Sequence, residues 1–248
     1  VSMSRKQLRV LCLHGFRTSG RIMKMQMRDV IRFCPNVDFV FVGTFECHFS
    51  IVSIRLNTNV PITDAPHDAK GEAHEIVRRI WNPKDFKYFE WWDRDEETKR
   101  YVGVERSISY VKEVFKDKGP FDGVLGFSQG GAFAATLCAM RSDLSWLSCL
   151  RFGTLFSAFV PRDEALSDVF KKMKENKDFN MWMTCGEKEE AFFHEAIDKD
   201  KKNSFPNLFG RRSVVVKHPT GHEFPLMCRD GEDTLRSLSL FLKNQELK

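Results

Sequence analysis

Short apolar runs alternate with longer amphipathic stretches along almost the whole chain. RVLCLH at 9–14, flanked by charge and closed by glycine, reads as a strand. Residues 19–34 carry apolar side chains at helical spacing, with Ser19 placed to cap the first turn. VDFVFV at 37–42 is the next strand. A helix over 106–119 ends at Gly119 before Pro120. From there the alternation is regular. Strands over 121–127, 150–159, 179–186 and 211–219 are followed by helices over 130–140, 163–176, 189–202 and 231–245. Strands that are apolar throughout are covered on both sides. The pattern therefore predicts an α/β fold with a mostly parallel central sheet and helices on both faces. With no internal repeat and no low-complexity linker, residues 1–248 read as one domain.

Composition adds limits. The chain has 248 residues, 42% of them hydrophobic and 23 of them Phe, enough for a substantial core. No apolar run nears the ~18 residues of a membrane span. The apolar stretch at the N-terminus is short and ends in His-Gly, so it reads as a strand and not as a secretory leader. The net charge of +5 is spread among acidic residues, which argues against a nucleic-acid partner. The 7 cysteines include no CxxC pair and sit mostly in apolar runs. They read as reduced thiols, and the expected location is cytoplasmic, a nuclear one being compatible. Clustered Cys and His are missing, so no metal or other cofactor is expected. The oligomeric state is left open.

The chemistry concentrates at Gly126-Phe127-Ser128-Gln129-Gly130, a G-x-S-x-G pattern between a predicted strand and an alanine-rich helix. Such a turn lifts the serine clear of the sheet, and the N–H of the following residue, Gln129, then faces a developing oxyanion. A serine of this kind needs a base and an acid from later loops. His222 follows the last strand in a glycine-containing loop and can serve as the base, whereas His218, in or just past that strand, reads as structural. Glu187, Glu189 and Glu190 all follow strand 179–186, and spacing alone does not choose among them.

Six pieces, LRVLCLHGFRTSG, DAPH, WW, GPFDGVLGFSQGGAFAA, CGEKE and HPTGH, occur in order and together resemble the FSH-type family of serine hydrolases. The resemblance implies an α/β-hydrolase fold without a large lid, acting on carboxylic esters through an acyl-enzyme. Carried over by position, it implies Ser128 as nucleophile, His222 as base and Glu189 as acid, where the family usually has Asp. It implies the backbone N–H of Phe16 as second oxyanion donor beside that of Gln129, and a structural role for His14. Trp91 and Trp92 are expected to line the acyl pocket. The expected partner is a small-molecule acyl ester of medium or long chain. A thioester is an alternative substrate, and a non-catalytic binding module on the same scaffold is the alternative from another class.

Residues 43–63 interrupt this pattern, since 39–42 would otherwise run directly into DAPH. The stretch is rich in β-branched and aromatic residues. It reads either as a hairpin or flap over the site or as non-native sequence such as a translated intron. The second is favoured, because an apolar stretch without a regular period suits a surface loop poorly.

Overall fold

The computed structural model describes residues 7–41, 64–172 and 179–246. The interrupting stretch 43–63 lies outside them. β1 (Leu8–Leu13) leads into α1 (Gly20–Gln26), α2 (Arg28–Phe33) and β2 (Val37–Val40). The segment from 64 to 103 holds β3 (His67–Asp68), α3 (Glu75–Ile80), β4 (Phe89–Glu90), β5 (Asp93–Arg94) and β6 (Tyr101–Val102). Then come α4 (Val104–Lys118), β7 (Gly123–Phe127), α5 (Gln129–Ala139), β8 (Phe152–Phe156) and α6 (Glu164–Lys172). β9 (Asn180–Gly186), α7 (Ala191–Ile197), α8 (Phe205–Phe209), β10 (Ser213–His218) and α9 (Glu232–Glu246) complete the described residues.

Among the described residues, six strands form one sheet in the order β10-β9-β8-β7-β1-β2, all parallel. Side chains alternate between two cores, as the period of a strand requires. Leu11, Leu13, Val124, Leu155, Met181 and Met183 face the core shared with α4 to α8. Val10, Cys12, Leu125, Phe156 and Trp182 face the core shared with α1, α2 and α9. Both faces are thus covered, and this is the α/β-hydrolase architecture.

Chain order reverses between β1 and β7. From β1 the chain goes outward to β2, whereas β7 starts the run to β10 on the other side. Loops at the carboxyl ends of two such strands diverge to opposite faces and leave a crevice. The loop after β1 and the turn after β7 meet there.

The structure departs from the hydropathy pattern in three places. The helix expected over 19–34 has a break in its dihedrals at Met27, where ψ is 8°. The hydrogen-bond ladder continues through it, from Met27 N to Met23 O and from Ile31 N to Met27 O, so the two pieces form one bent helix. Ser19 caps it as expected, accepting from Ile22 N at 3.3 Å. The helix expected over 189–202 stops at Ile197, because 198–203 offers no apolar residue to bury, and α8 follows unforeseen. Finally, α3 and the small antiparallel ribbons β3–β4 and β5–β6 were not predicted. Two-residue strands have no readable period, and α3 buries no residue.

Candidate active site

Ser128 joins β7 to α5 with φ 54° and ψ −119°, a region that a residue with a Cβ rarely occupies. Strain of this kind amounts to roughly 1–3 kcal/mol and persists only where the surroundings enforce it. They do so here. Ser128 N donates to Phe156 O at 2.9 Å. A Cβ on Gly126 would stand 2.1 Å from Gly130 O, and one on Gly130 would stand 2.2 Å from Leu13 O. The two glycines of the motif are therefore needed for close backbone packing, the second against the end of β1. Gln129 is the first residue of α5, so its N–H has no partner within the helix and lies at the positive end of the helix dipole.

The loop after β1 is held at several points. His14 is buried, and its Nε2 accepts from Ala65 N at 2.9 Å. This fixes the tautomer, with Nδ1–H donating to Gly15 O at 2.8 Å. Burial pushes the His14 pKa down to about 4. Thr18 Oγ1 also donates to Gly15 O, and Trp91 Nε1 donates to His14 O at 2.8 Å. A Cβ on Gly15 would be 3.5 Å from Ser128 Cβ, which places this loop against the nucleophile candidate. Phe16 is exposed at the loop tip, with the Arg17 guanidinium over its ring at 4.5 Å.

His222 Nε2 lies 3.0 Å from Ser128 Oγ, and His222 Nδ1 lies 3.1 Å from Glu189 Oε2. The imidazole sits between Phe127 and Phe193, at centroid distances of 4.9 and 4.6 Å. The Glu189 carboxylate has no solvent exposure. Its other oxygen, Oε1, accepts from Ser157 Oγ at 2.6 Å and from Gly186 N at 2.7 Å. Ser157, at the end of β8, is buried and has φ 48°. Of the three glutamates after β9, the structure brings Glu189 to the histidine, while Glu187 and Glu190 are exposed.

The meeting of Glu189 and His222 has a backbone cause. β9 and β10 pair in register up to His218 opposite Gly186. Glu187 N then donates to His218 O and Lys188 N to Thr220 O, which ties the two loops together. Gly186 is required, since a Cβ there would be 2.3 Å from Thr220 O. His218 is buried, with Nδ1 and Thr220 Oγ1 2.8 Å apart. Its pKa is lowered, chiefly by burial.

Trp91 and Trp92 are placed differently from the expectation of a pocket wall. Both are buried, at 0% and 3% exposure. Trp91 packs between His14 and Phe133, and Trp92 stacks on Tyr101. What ties them to the site is the side chain of Gln129, a connection that sequence reasoning missed. Its Oε1 accepts from Trp91 N at 2.9 Å and its Nε2 donates to Trp92 O at 2.8 Å. Ser157 was missed as well, because nothing local marks a serine at the end of β8. Among the described residues, no group of three or more metal-ligating side chains occurs, and no helix is long and apolar enough to cross a membrane. None of the six described cysteines forms a disulfide.

A nucleophile candidate on a strained turn, backed by a histidine and a buried carboxylate on an α/β-hydrolase sheet, is the arrangement of serine hydrolases. Comparison with known proteins places the chain accordingly. Residues 3–230 match the family described as serine hydrolase (FSH1), and the chain belongs to it. It is 25% identical to Esterase CG5412 of Drosophila melanogaster, over 98% of this chain and 79% of that protein. It is 31% identical to the Rhodanese-like domain-containing protein 6 of Arabidopsis thaliana, over 64% of this chain and only 27% of that longer protein. Among solved structures, esterase PE8 superposes with a TM-score of 0.56 at 16% identity, covering 97% of this chain and 93% of that one. Zea mays acyl-protein thioesterase 2 superposes with a TM-score of 0.54 at 14% identity, covering 97% and 96%. The enzyme class is thus a serine hydrolase of esterase type.

Proposed function

We propose that the chain hydrolyses carboxylic esters of medium- or long-chain acyl groups through Ser128, His222 and Glu189. The observation that carries this reading is the imidazole of His222 between Ser128 Oγ at 3.0 Å and Glu189 Oε2 at 3.1 Å. Glu189 accepts from Nδ1–H and so leaves Nε2 free to take a proton. Ser128 Oγ attacks the ester carbonyl as its proton passes to His222 Nε2. The N–H groups of Gln129 and Phe16 hold the resulting oxyanion. Collapse of the tetrahedral intermediate expels the alcohol, which takes the proton from His222. A water, deprotonated by His222, then attacks the acyl-enzyme, releasing the carboxylic acid and restoring Ser128. We assign the apolar wall for the acyl chain to exposed Phe16 and the aromatic rings flanking His222. Trp91 holds the loop after β1 through the bond from its Nε1–H to His14 O.

A fluorophosphonate probe tests this. Labelling of the wild type that is lost in Ser128→Ala but kept in Ser157→Ala is the expected result. A folded wild type that takes no label would refute the assignment. A series of p-nitrophenyl esters of increasing acyl length tests the substrate class, with kcat/KM rising from acetate towards decanoate. A series that peaks at acetate refutes the chain-length assignment.

A further inference from the structure

A cleft of about 710 Å³ lies beside the site, between α6 and the α7–α8 segment. That volume falls within the range of small-molecule sites. Its apolar lining comes from Phe159, Val160, Phe170, Phe192 and Leu208. Among the described residues, five charged side chains line it: Arg162, Lys171, Lys201 and Lys202 are cationic, and only Glu195 opposes them. Lys171 is bonded to Asp168 at 2.7 Å. Arg162 lies over the Phe192 ring, and no acid partner occurs for Arg162, Lys201 or Lys202 among the described residues. Ser204, which also lines the cleft, is buried, and its hydroxyl has no hydrogen-bond partner among the described residues. Buried hydroxyls are ordinarily satisfied, so an unpaired one beside a cleft is a donor that a ligand atom can use.

The Phe193 ring connects the cleft wall to the triad residues. Phe193 packs on His222 at 4.6 Å and on Phe159 at 6.4 Å. An apolar trough with a basic rim complements one chemical class, a chain of methylenes that ends in an anion. We infer that this cleft binds the carboxylate of a medium- or long-chain acid, with the chain along Phe159, Phe170, Phe192 and Leu208 and the anion at Lys201, Lys202 and the Ser204 hydroxyl. Hydrolysis of a neutral acyl ester creates this anion, so the cleft suits the acid released and not the ester consumed. Binding itself does not depend on turnover.

Titration calorimetry of the full chain carrying Ser128→Ala, with decanoate, 1-decanol and acetate, tests the site. Decanoate is expected to bind one to one and at least fivefold more tightly than decanol, with no detectable binding of acetate. Exposed charge pairs contribute modestly. Lys201→Ala combined with Lys202→Ala therefore weakens decanoate about five- to tenfold and leaves decanol unchanged. Ser204→Ala weakens decanoate about tenfold, the usual value of a hydrogen bond to a charged group. Ser167→Trp, on the half-buried wall of α6, fills the cleft and abolishes binding of both ligands without altering the melting temperature. Equal affinity for decanoate and decanol, no loss in the double lysine variant, or full binding in Ser167→Trp would each overturn the proposal. None of these outcomes bears on probe labelling of Ser128, so this site and the esterase reading fail separately.

Discussion

The role of Glu189 can be tested by an isosteric change, Glu189→Gln, whose outcome follows from the hydrogen bonds around its carboxylate. Oε1 accepts from two donors, Ser157 Oγ and Gly186 N, at 2.6 and 2.7 Å. The Gly186 N–H cannot reverse its role. A glutamine must therefore turn its carbonyl towards Ser157 and Gly186, which leaves its NH₂ facing His222 Nδ1. That nitrogen then has to accept, the ring adopts the other tautomer, and Nε2 carries a proton towards Ser128. The imidazole can no longer act as a base. In serine proteases the corresponding loss is about 10⁴-fold in kcat, close to 5.5 kcal/mol. We expect a fall of about 10³- to 10⁴-fold in kcat, with KM nearly unchanged and the melting temperature kept. Glu190→Gln, in an exposed position, should stay within twofold of the wild type. The assay is steady-state hydrolysis of a p-nitrophenyl ester across pH 5 to 9. If Glu189→Gln kept a tenth or more of the activity, or if the two variants lost equal amounts, the acid would be misassigned.

Ser157→Ala removes one of the two donors to Glu189 Oε1 and should lower kcat about tenfold at constant KM, in keeping with a hydrogen bond to a charged group; a change in KM alone would point to a different role. Gly130→Ala places a Cβ 2.2 Å from Leu13 O. Urea unfolding should show a loss above the usual ~1–3 kcal/mol of overpacking, and a loss under about 1 kcal/mol would show that β1 yields easily. His14 has an ordinary value of 6.5 and a folded value of about 4. Its contribution is fully present above pH 6.5 and is lost as pH falls through 4, about 3 kcal/mol in all. His14→Gln should therefore flatten the decline of urea stability between pH 6.5 and 4, and an unchanged slope would assign that decline to other groups.

Much of this architecture is carried by local sequence. The strand–turn–helix around Ser128 is legible because β7 and α5 are adjacent in the chain and their glycines serve contacts at fixed short spacing. His222 is legible because a histidine in the loop after the last strand has few other places to go. Spacing does not choose Glu189 over Glu187 and Glu190; the family resemblance points to it, and its meeting with His222 belongs to tertiary structure. It depends on the pairing of β9 with β10, on the backbone bonds between their loops, and on Ser157, which comes from a third strand. The burial of Trp91 and Trp92 and their link through Gln129 likewise join segments 37 or more residues apart. Periodicity and spacing report which face a residue turns to the core. They do not report which distant residue meets it there, because that depends on the register and order of strands, and these are set by the packing of the whole sheet.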